Sequence, residues 1–201
     1  MLLNSIEYWI VNNPLRGFVQ RHYEAPRLKR ISNGARGDVL EIGCGQGVGT
    51  RIIYDLFEPR RYVGIDLDPR MVRRARRKAG SLATATFMVG DASMLECPEA
   101  TFDLVVDFGI VHHVPNWQDA LQEVHRILRV GGEFLFEELS LDTFERGVGI
   151  PFRKMLDHPY DQMFRKEQFV GKLESLGFAV ESHESSPLSF YHFWGRARKG
   201  S

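Results

Sequence analysis

The sequence predicts an α/β fold, an open and mostly parallel sheet with helices between its strands, and two observations carry that prediction. The first is a glycine-rich turn placed directly after an apolar run, in Val39-Leu-Glu-Ile-Gly-Cys-Gly-Gln-Gly-Val-Gly-Thr50. A buried strand feeding a tight turn and then a helix has this order, and a backbone without Cβ atoms lets a ligand approach closely. The second is a recurrence: four successive apolar segments each stop at an acidic residue. They are the run ending at Glu41, then Tyr62-Val-Gly-Ile-Asp66, Thr86-Phe-Met-Val89 followed by Gly90-Asp91, and Phe102-Asp-Leu-Val-Val106 followed by Asp107. In an open parallel sheet the carboxyl ends of the strands line one crevice, which is where ligands bind.

Residues 1–36 are expected to form a helical N-terminal extension. Leu2, Leu3, Ile6, Trp9 and Ile10 follow helical spacing and give one apolar face. Asn12-Asn13-Pro14 ends that helix, because proline restricts the residue before it and cannot continue the ladder. A second helical segment runs from about Leu15 to Glu24, and Pro26 opens a third short turn. Residues 37–138 form the strand–helix core, with a helix from about Thr50 to Phe57 behind the glycine turn. Asp68-Pro69 is an N-cap followed by proline at the first helical position. Residues 139–166 lack a strand period and contain Gly147, Gly149, Pro151 and Pro159, so they read as an insertion. Residues 167–198 supply a helix from Glu167 to Leu176, a stop at Gly177, and two closing strands, Phe178 to Glu184 and about Leu188 to Ala197. Glycine suits the stop because it tolerates the left-handed cap conformation.

Length and composition fit one compact domain. A chain of 201 residues buries a substantial core. Lys plus Arg and Asp plus Glu both number 26, so no global field draws the protein onto nucleic acid. No apolar stretch approaches the ~20 residues of a membrane span, and no signal core follows a basic N-terminus. Cys44 and Cys97 belong to no CxxC pair and are expected to be reduced thiols. The expected location is cytoplasmic.

Two nucleotide-binding readings compete for the glycine turn. Dinucleotide folds place glycines as G-x-G-x-x-G, whereas Gly43, Gly45 and Gly47 alternate and position 48 is Val. The segments VLEIGCGQG from Val39, YVGIDLDPRMVRRA from Tyr62, FMVGDASML from Phe87, FDLVVDFGIVHHV from Phe102 and LQEVHRILRVGGEFLFEE from Leu121 decide between them. In order and spacing they resemble the class I S-adenosylmethionine-dependent methyltransferases, of the small-molecule, type 11-like kind. That resemblance implies a Rossmann-like seven-stranded sheet, mostly parallel with an antiparallel last strand, and helices on both faces. The cofactor it implies is S-adenosylmethionine. Carried over residue by residue, the turn at Glu41, Gly43, Cys44, Gly45 and Gly47 holds the amino-acid half. Asp66 takes the ribose and Leu67 lies against adenine. Asp91 and the Ala92 N–H meet the adenine edge, and Asp107 stands at the fourth strand end.

Methyl transfer needs alignment of a nucleophile and exclusion of water, and a base only where the acceptor must lose a proton. Candidate bases at the crevice are Asp107, His112, His113, Glu137, Glu138 and Asp142. His112 and His113 are adjacent and expected to point in different directions, one of them being structural. No third ligand with suitable spacing accompanies them, so no metal is expected. The acceptor pocket is expected between the N-terminal helices and the insertion. Phe144, Phe152, Met155, Leu156, Tyr160, Met163, Phe164, Trp9, Phe18 and Tyr23 offer it an apolar, aromatic wall. Alternatively, those side chains seal the core. Arg16, Arg21 and Arg27 could meet a carboxylate or simply face water.

The run from Arg70 to Lys78 carries six basic residues, but Met71, Val72 and Ala75 give it a face for the sheet. A solvated or lipid-headgroup-facing surface is therefore expected, ahead of nucleic acid. The function expected is methyl transfer to O, C or N of a small, hydrophobic, aromatic, quinone or lipid-like metabolite. A nucleic-acid or protein methyltransferase, and a cofactor-binding regulatory module without turnover, are the alternatives.

Overall fold

The computed structural model describes residues 13–34, 37–80, 82–146, 149–153, 155–156, 158–185 and 191–200. The apolar face expected from Leu2 to Ile10, Trp9 included, lies outside them, as do Gly147 and Leu188. The described chain opens with α1 (Pro14–Val19), a π-helical turn (Gln20–Glu24) and α2 (Ala25–Ile31). The core follows as β1 (Asp38–Ile42), α3 (Val48–Phe57), β2 (Arg61–Asp66), α4 (Pro69–Ala79), β3 (Ala85–Val89) and β4 (Phe102–Phe108). A 3₁₀ turn (Val111–His113), α5 (Trp117–Ile127) and β5 (Leu128–Leu139) complete it. The insertion holds α6 (Asp142–Glu145), α7 (Ile150–Arg153) and a 3₁₀ turn (Tyr160–Gln162), before α8 (Lys166–Ser175), β6 (Phe178–Ser185) and β7 (His192–Lys199).

The strands make one seven-stranded sheet in the order β3-β2-β1-β4-β5-β7-β6. All neighbours from β3 to β5 are parallel, and β7 runs antiparallel to both β5 and β6. The chain moves outward from β1 to β3 and returns to β4 on the other side of β1. That reversal opens a crevice beyond the carboxyl ends of β1 and β4. Register pairs Ile42 with both Ile65 and Asp107, and Ile65 with Met88, so the residues after each strand stand along one edge.

Two apolar layers cover the sheet. Leu40, Ile42, Ile65 and Val105 pack under α5 and α8, while the alternating Val39, Tyr62, Leu104 and Val106 pack under α2, α3 and α4. Coverage on both faces explains why every residue of β1 is buried and its sequence does not alternate. The insertion contributes Phe164, fully buried, with ring centroids 5.0 Å from Trp117 and 4.8 Å from Phe169.

The N-terminal segment departs from expectation. Asn13 caps a helix, accepting from Leu15 N with Pro14 behind it, and the chain then stays helical to Ile31 through Pro26. Proline is tolerated there because it occupies the first turn of α2. The junction is the π turn, which buries Gln20 and Glu24.

Candidate functional site

The crevice is lined by Glu41 of β1 with Gly43, Cys44 and Gly45 after it, by Asp66 at the end of β2 with Leu67 after it, and by Asp91 and Ala92 after β3. Arg16 and Gln20 close it from the N-terminal helices, and Ile110, His113 and Val114 from the segment after β4. Two of the turn glycines have separate reasons to be glycine. A Cβ on Gly43, at φ +65°, would lie 2.3 Å from Ile110 Cγ2. Gly45, at φ +52°, has no atom within 4 Å of where its Cβ would be, so it leaves open space in the cradle. Gly47 does not line the crevice. It is the N-cap of α3, and a Cβ there would meet Ala75 Cα of α4 at 3.0 Å, so its role is helix packing.

Glu41 is buried at the floor. Its carboxylate accepts from the Tyr62 hydroxyl, and the Thr50 hydroxyl stands 2.8 Å from that of Tyr62. Burial pushes Glu41 up to about 8, against the hydrogen bonds from Tyr62 and Thr50 that lower it. A neutral acid beside an open cradle is poised to ionise when a cation arrives.

Asp66 joins the first two turns. It accepts from Gly45 N and from Asp68 N, both at 2.8 Å. Burial raises it above the usual range, and those two N–H groups oppose the shift. Asp91 receives the Ser93 N–H at 2.8 Å and the Ser93 hydroxyl at 2.7 Å, both on Oδ1. Burial would raise its pKa, but these bonds outweigh burial and hold it below the usual value.

Beyond β4 the arrangement differs from the sequence expectation. Asp107 is fully buried and does not line the crevice; it accepts from Ile110 N at 2.9 Å and braces the turn. Burial, then the neighbouring Glu138, lifts its pKa well above the carboxylate range. The two histidines do not diverge, since their ring centroids are 4.3 Å apart. His112 is buried, with Nδ1 hydrogen-bonded to Glu138 of β5, whereas His113 reaches the crevice wall. Glu138 also accepts from Val111 N at 2.6 Å and His112 N at 3.3 Å. The expectation that no third ligand stands near the pair is overturned. His158 of the insertion joins them, and one ring nitrogen from each of the three lies within 4.8 Å of the others. His158 lies 45 positions beyond His113, a separation only the fold brings together.

The other candidate bases are engaged elsewhere. Glu137 pairs with His192 of β7, burial lifting the acid to about 7 and holding the imidazole at about 4. Asp142 pairs with Arg165 and Arg146. Arg16, not singled out above Arg21 and Arg27 by sequence, is the arginine that meets the crevice. It binds Glu24 at 2.6 Å and donates to Phe108 O at 3.1 Å. Arg21 pairs with Asp55, and Arg27 stacks between Tyr23 and Trp194. The expected aromatic wall is not in the crevice. Phe144, Met163 and Phe164 are buried in the seal, and Phe18, Tyr23 and Met155 are exposed. On α4, Met71, Val72 and Ala75 are buried, while Arg73 and Arg77 face water.

A switch-point crevice with a glycine turn, a carboxylate after β2 and another after β3 defines a Rossmann-like nucleotide-cofactor protein. Residues 40–136 match the model of a methyltransferase domain family. A probable S-adenosylmethionine-dependent methyltransferase of Mycolicibacterium smegmatis is 30% identical over 177 residues, covering 88% of this chain and 64% of its own. A fatty-acid O-methyltransferase of the same organism is 38% identical over 100 residues, covering 50% of this chain and 36% of its own. The chain thus spans between about a third and two thirds of the length of these relatives. In fold it is similar to a Haloferax volcanii methyltransferase solved with the Trm112 methyltransferase activator, with a TM-score of 0.79, 17% identity and full coverage of both chains. The family match, these relatives and this fold support a class I S-adenosylmethionine-dependent methyltransferase. Among the described residues no helix is long and apolar enough to cross a membrane.

Proposed function

We propose that this protein transfers the methyl group of S-adenosylmethionine to an oxygen, carbon or nitrogen of a small, hydrophobic or lipid-like acceptor. The observation that carries the reading is the shared crevice, where the open cradle at Gly45 lies between Glu41, Asp66 and Asp91. The fit to the cofactor is chemical. Glu41 supplies a buried carboxyl for an ammonium, Asp66 an acceptor for ribose hydroxyls, and Leu67 an apolar surface for adenine. Asp91 and the Ala92 N–H complete the set at the adenine edge. When bound, S-adenosylmethionine supplies an electrophilic methyl group. The chain's own part is to align the acceptor and keep water away. His113 is the candidate base that lines the crevice, and burial keeps its pKa well below the ordinary histidine value, so the ring there is neutral. His112 acts as a positioning residue, tied to Glu138. Arg16 and Gln20 place the N-terminal helices over the opening.

A lipid-like acceptor is supported by the fatty-acid activity named for the M. smegmatis relative. The nucleic-acid alternative draws on exposed Arg73 and Arg77, which lie on the outer side of α4, away from the crevice lining. The test is transfer of a labelled methyl group to a panel of fatty acids, hydroxylated lipids and quinols. Label in an organic-extractable product, lost in Asp66→Ala and reduced in His113→Ala, is the expected result. Intact cofactor binding without transfer to any of them, or label in RNA or protein, would overturn it.

A further inference from the structure

We propose that His112, His113 and His158 form a binding site for one divalent transition-metal ion of the zinc type. Their donor nitrogens lie within 4.8 Å of one another, and their ring centroids are 4.3, 5.3 and 4.3 Å apart in pairs. Three imidazoles, with no thiolate or carboxylate among the donors, suit zinc, cobalt, nickel or copper and disfavour calcium and magnesium. Three protein ligands with a fourth position open is the composition of catalytic zinc sites.

The surroundings fit ligation. Glu138 holds Nδ1 of His112, which fixes the ring and leaves Nε2 as the donor. A carboxylate behind a ligating histidine commonly orients it and raises its basicity. Glu138 is itself fixed by two backbone N–H groups. Nδ1 of His113 is buried with no hydrogen-bond partner among the described residues, an unusual state for a buried polar atom. Phe144 packs 5.0 Å from the His158 ring and Tyr160 stacks on it at 5.5 Å, so the trio is walled from water on that side.

Zinc bonds of about 2.0 Å in a tetrahedron hold nitrogens roughly 3.3 Å apart, so the rings must draw in by up to about 1.5 Å. His158 lies outside any helix or strand, just before the Tyr160–Gln162 turn, whereas His112 and His113 are fixed by the turn after β4. His113 belongs to both the trio and the crevice wall. An ion there would engage the His113 lone pair and take over from the ring as the aid to proton loss, placing Lewis acidity beside the bound acceptor. That role rests on the methyl-transfer reading; the site itself does not.

The test is calorimetric titration of the full chain, first stripped with a chelator, with zinc chloride and without any acceptor. Binding of one equivalent with a Kd on the order of 1 µM or tighter is expected. His158→Ala should weaken it by about 100-fold or more while retaining affinity for S-adenosylmethionine, which reports that the crevice is still folded. The visible spectrum of the cobalt-loaded wild-type protein needs no variant, and intense bands of a four-coordinate ion are expected. Failure of the wild type to take up zinc, equal affinity in His158→Ala, or a weak six-coordinate cobalt spectrum would overturn the proposal. Methyl transfer enters none of these readouts, so loss of the enzymatic reading would leave the metal result standing.

Discussion

Gly49→Ala tests whether the first turn of α3 is built around the Glu41 carboxyl. Gly49 lies in the first turn of α3 with no positive φ, so alanine meets no backbone strain there. Its Cβ would instead stand 1.9 Å from Glu41 Oε1 and 3.0 Å from Gln20 Nε2. Glu41 cannot swing aside freely, because Tyr62 and Thr50 hold its other oxygen. Overpacking costs about 1–3 kcal/mol. Leaving a buried hydroxyl without its partner adds about 1–3 kcal/mol. Better helix propensity returns at most about 1 kcal/mol. A net loss of about 3 kcal/mol lowers Tm by roughly 6–12 °C in a chain of this size. In a Glu41→Ala background the obstacle is gone, and Gly49→Ala should become neutral or stabilising. The assay is a double-mutant cycle by urea denaturation, where contacting residues show coupling. Additivity within about 0.5 kcal/mol would refute the reasoning.

The remaining predictions use the same groups. Glu41 sits at about 8 when folded against 4.5 as a free side chain. Its contribution to stability is therefore complete below about 4.5 and is lost as pH rises through 8, a difference on the order of a few kcal/mol. Comparing wild type with Glu41→Gln by denaturation at pH 5, 7 and 9 isolates it, and identical pH profiles would contradict the assignment. Arg16→Ala leaves buried Glu24 without its cation, and Glu24 is raised to about 8, chiefly by burial. Protonation relieves the loss in acid, so the destabilisation should grow from pH 6 to pH 9; a constant loss would count against it. Phe164→Ala empties a fully buried site among Trp117, Phe169 and Phe193 and should cost about 3–5 kcal/mol by urea denaturation. A loss below 1 kcal/mol would show that the insertion does not seal this layer. Arg73→Gln with Arg77→Gln should change stability by less than about 0.5 kcal/mol and leave cofactor affinity as it was. A large drop in RNA affinity in that variant would favour the nucleic-acid alternative.

The sheet was legible because its signals are local. Each of β1 to β4 is an apolar run, and each helix between them repeats with helical spacing, so order and type follow from neighbouring residues. The cradle was legible for the same reason: Gly43, Gly45 and Asp91 stand just past strand ends and Asp66 closes β2, and parallel register then aligns strand ends automatically. What escaped sequence reasoning depends on side chains meeting across long separations. Asp107 has the same place in the pattern as Asp66, yet it turns under Ile110 and is fully buried. His158 joins His112 and His113 only because the insertion folds back over the turn after β4. The π turn at Gln20–Glu24 has no proline or glycine to announce it, although it is what buries Gln20 and Glu24 beside Arg16. The aromatic residues of 139–166 were ambiguous because apolar composition suits a pocket wall and a core seal equally. Burial places Phe144, Met163 and Phe164 in the seal, leaves Phe152, Leu156 and Tyr160 half-buried and exposes Met155.

The most direct test of the central claim is calorimetric titration with S-adenosylmethionine and S-adenosylhomocysteine, on wild type and Asp66→Ala, with NAD as control. Micromolar binding of both, lost in the variant and absent for NAD, is the predicted result. No binding of either, or preference for NAD, would contradict the account at the glycine turn from which it begins.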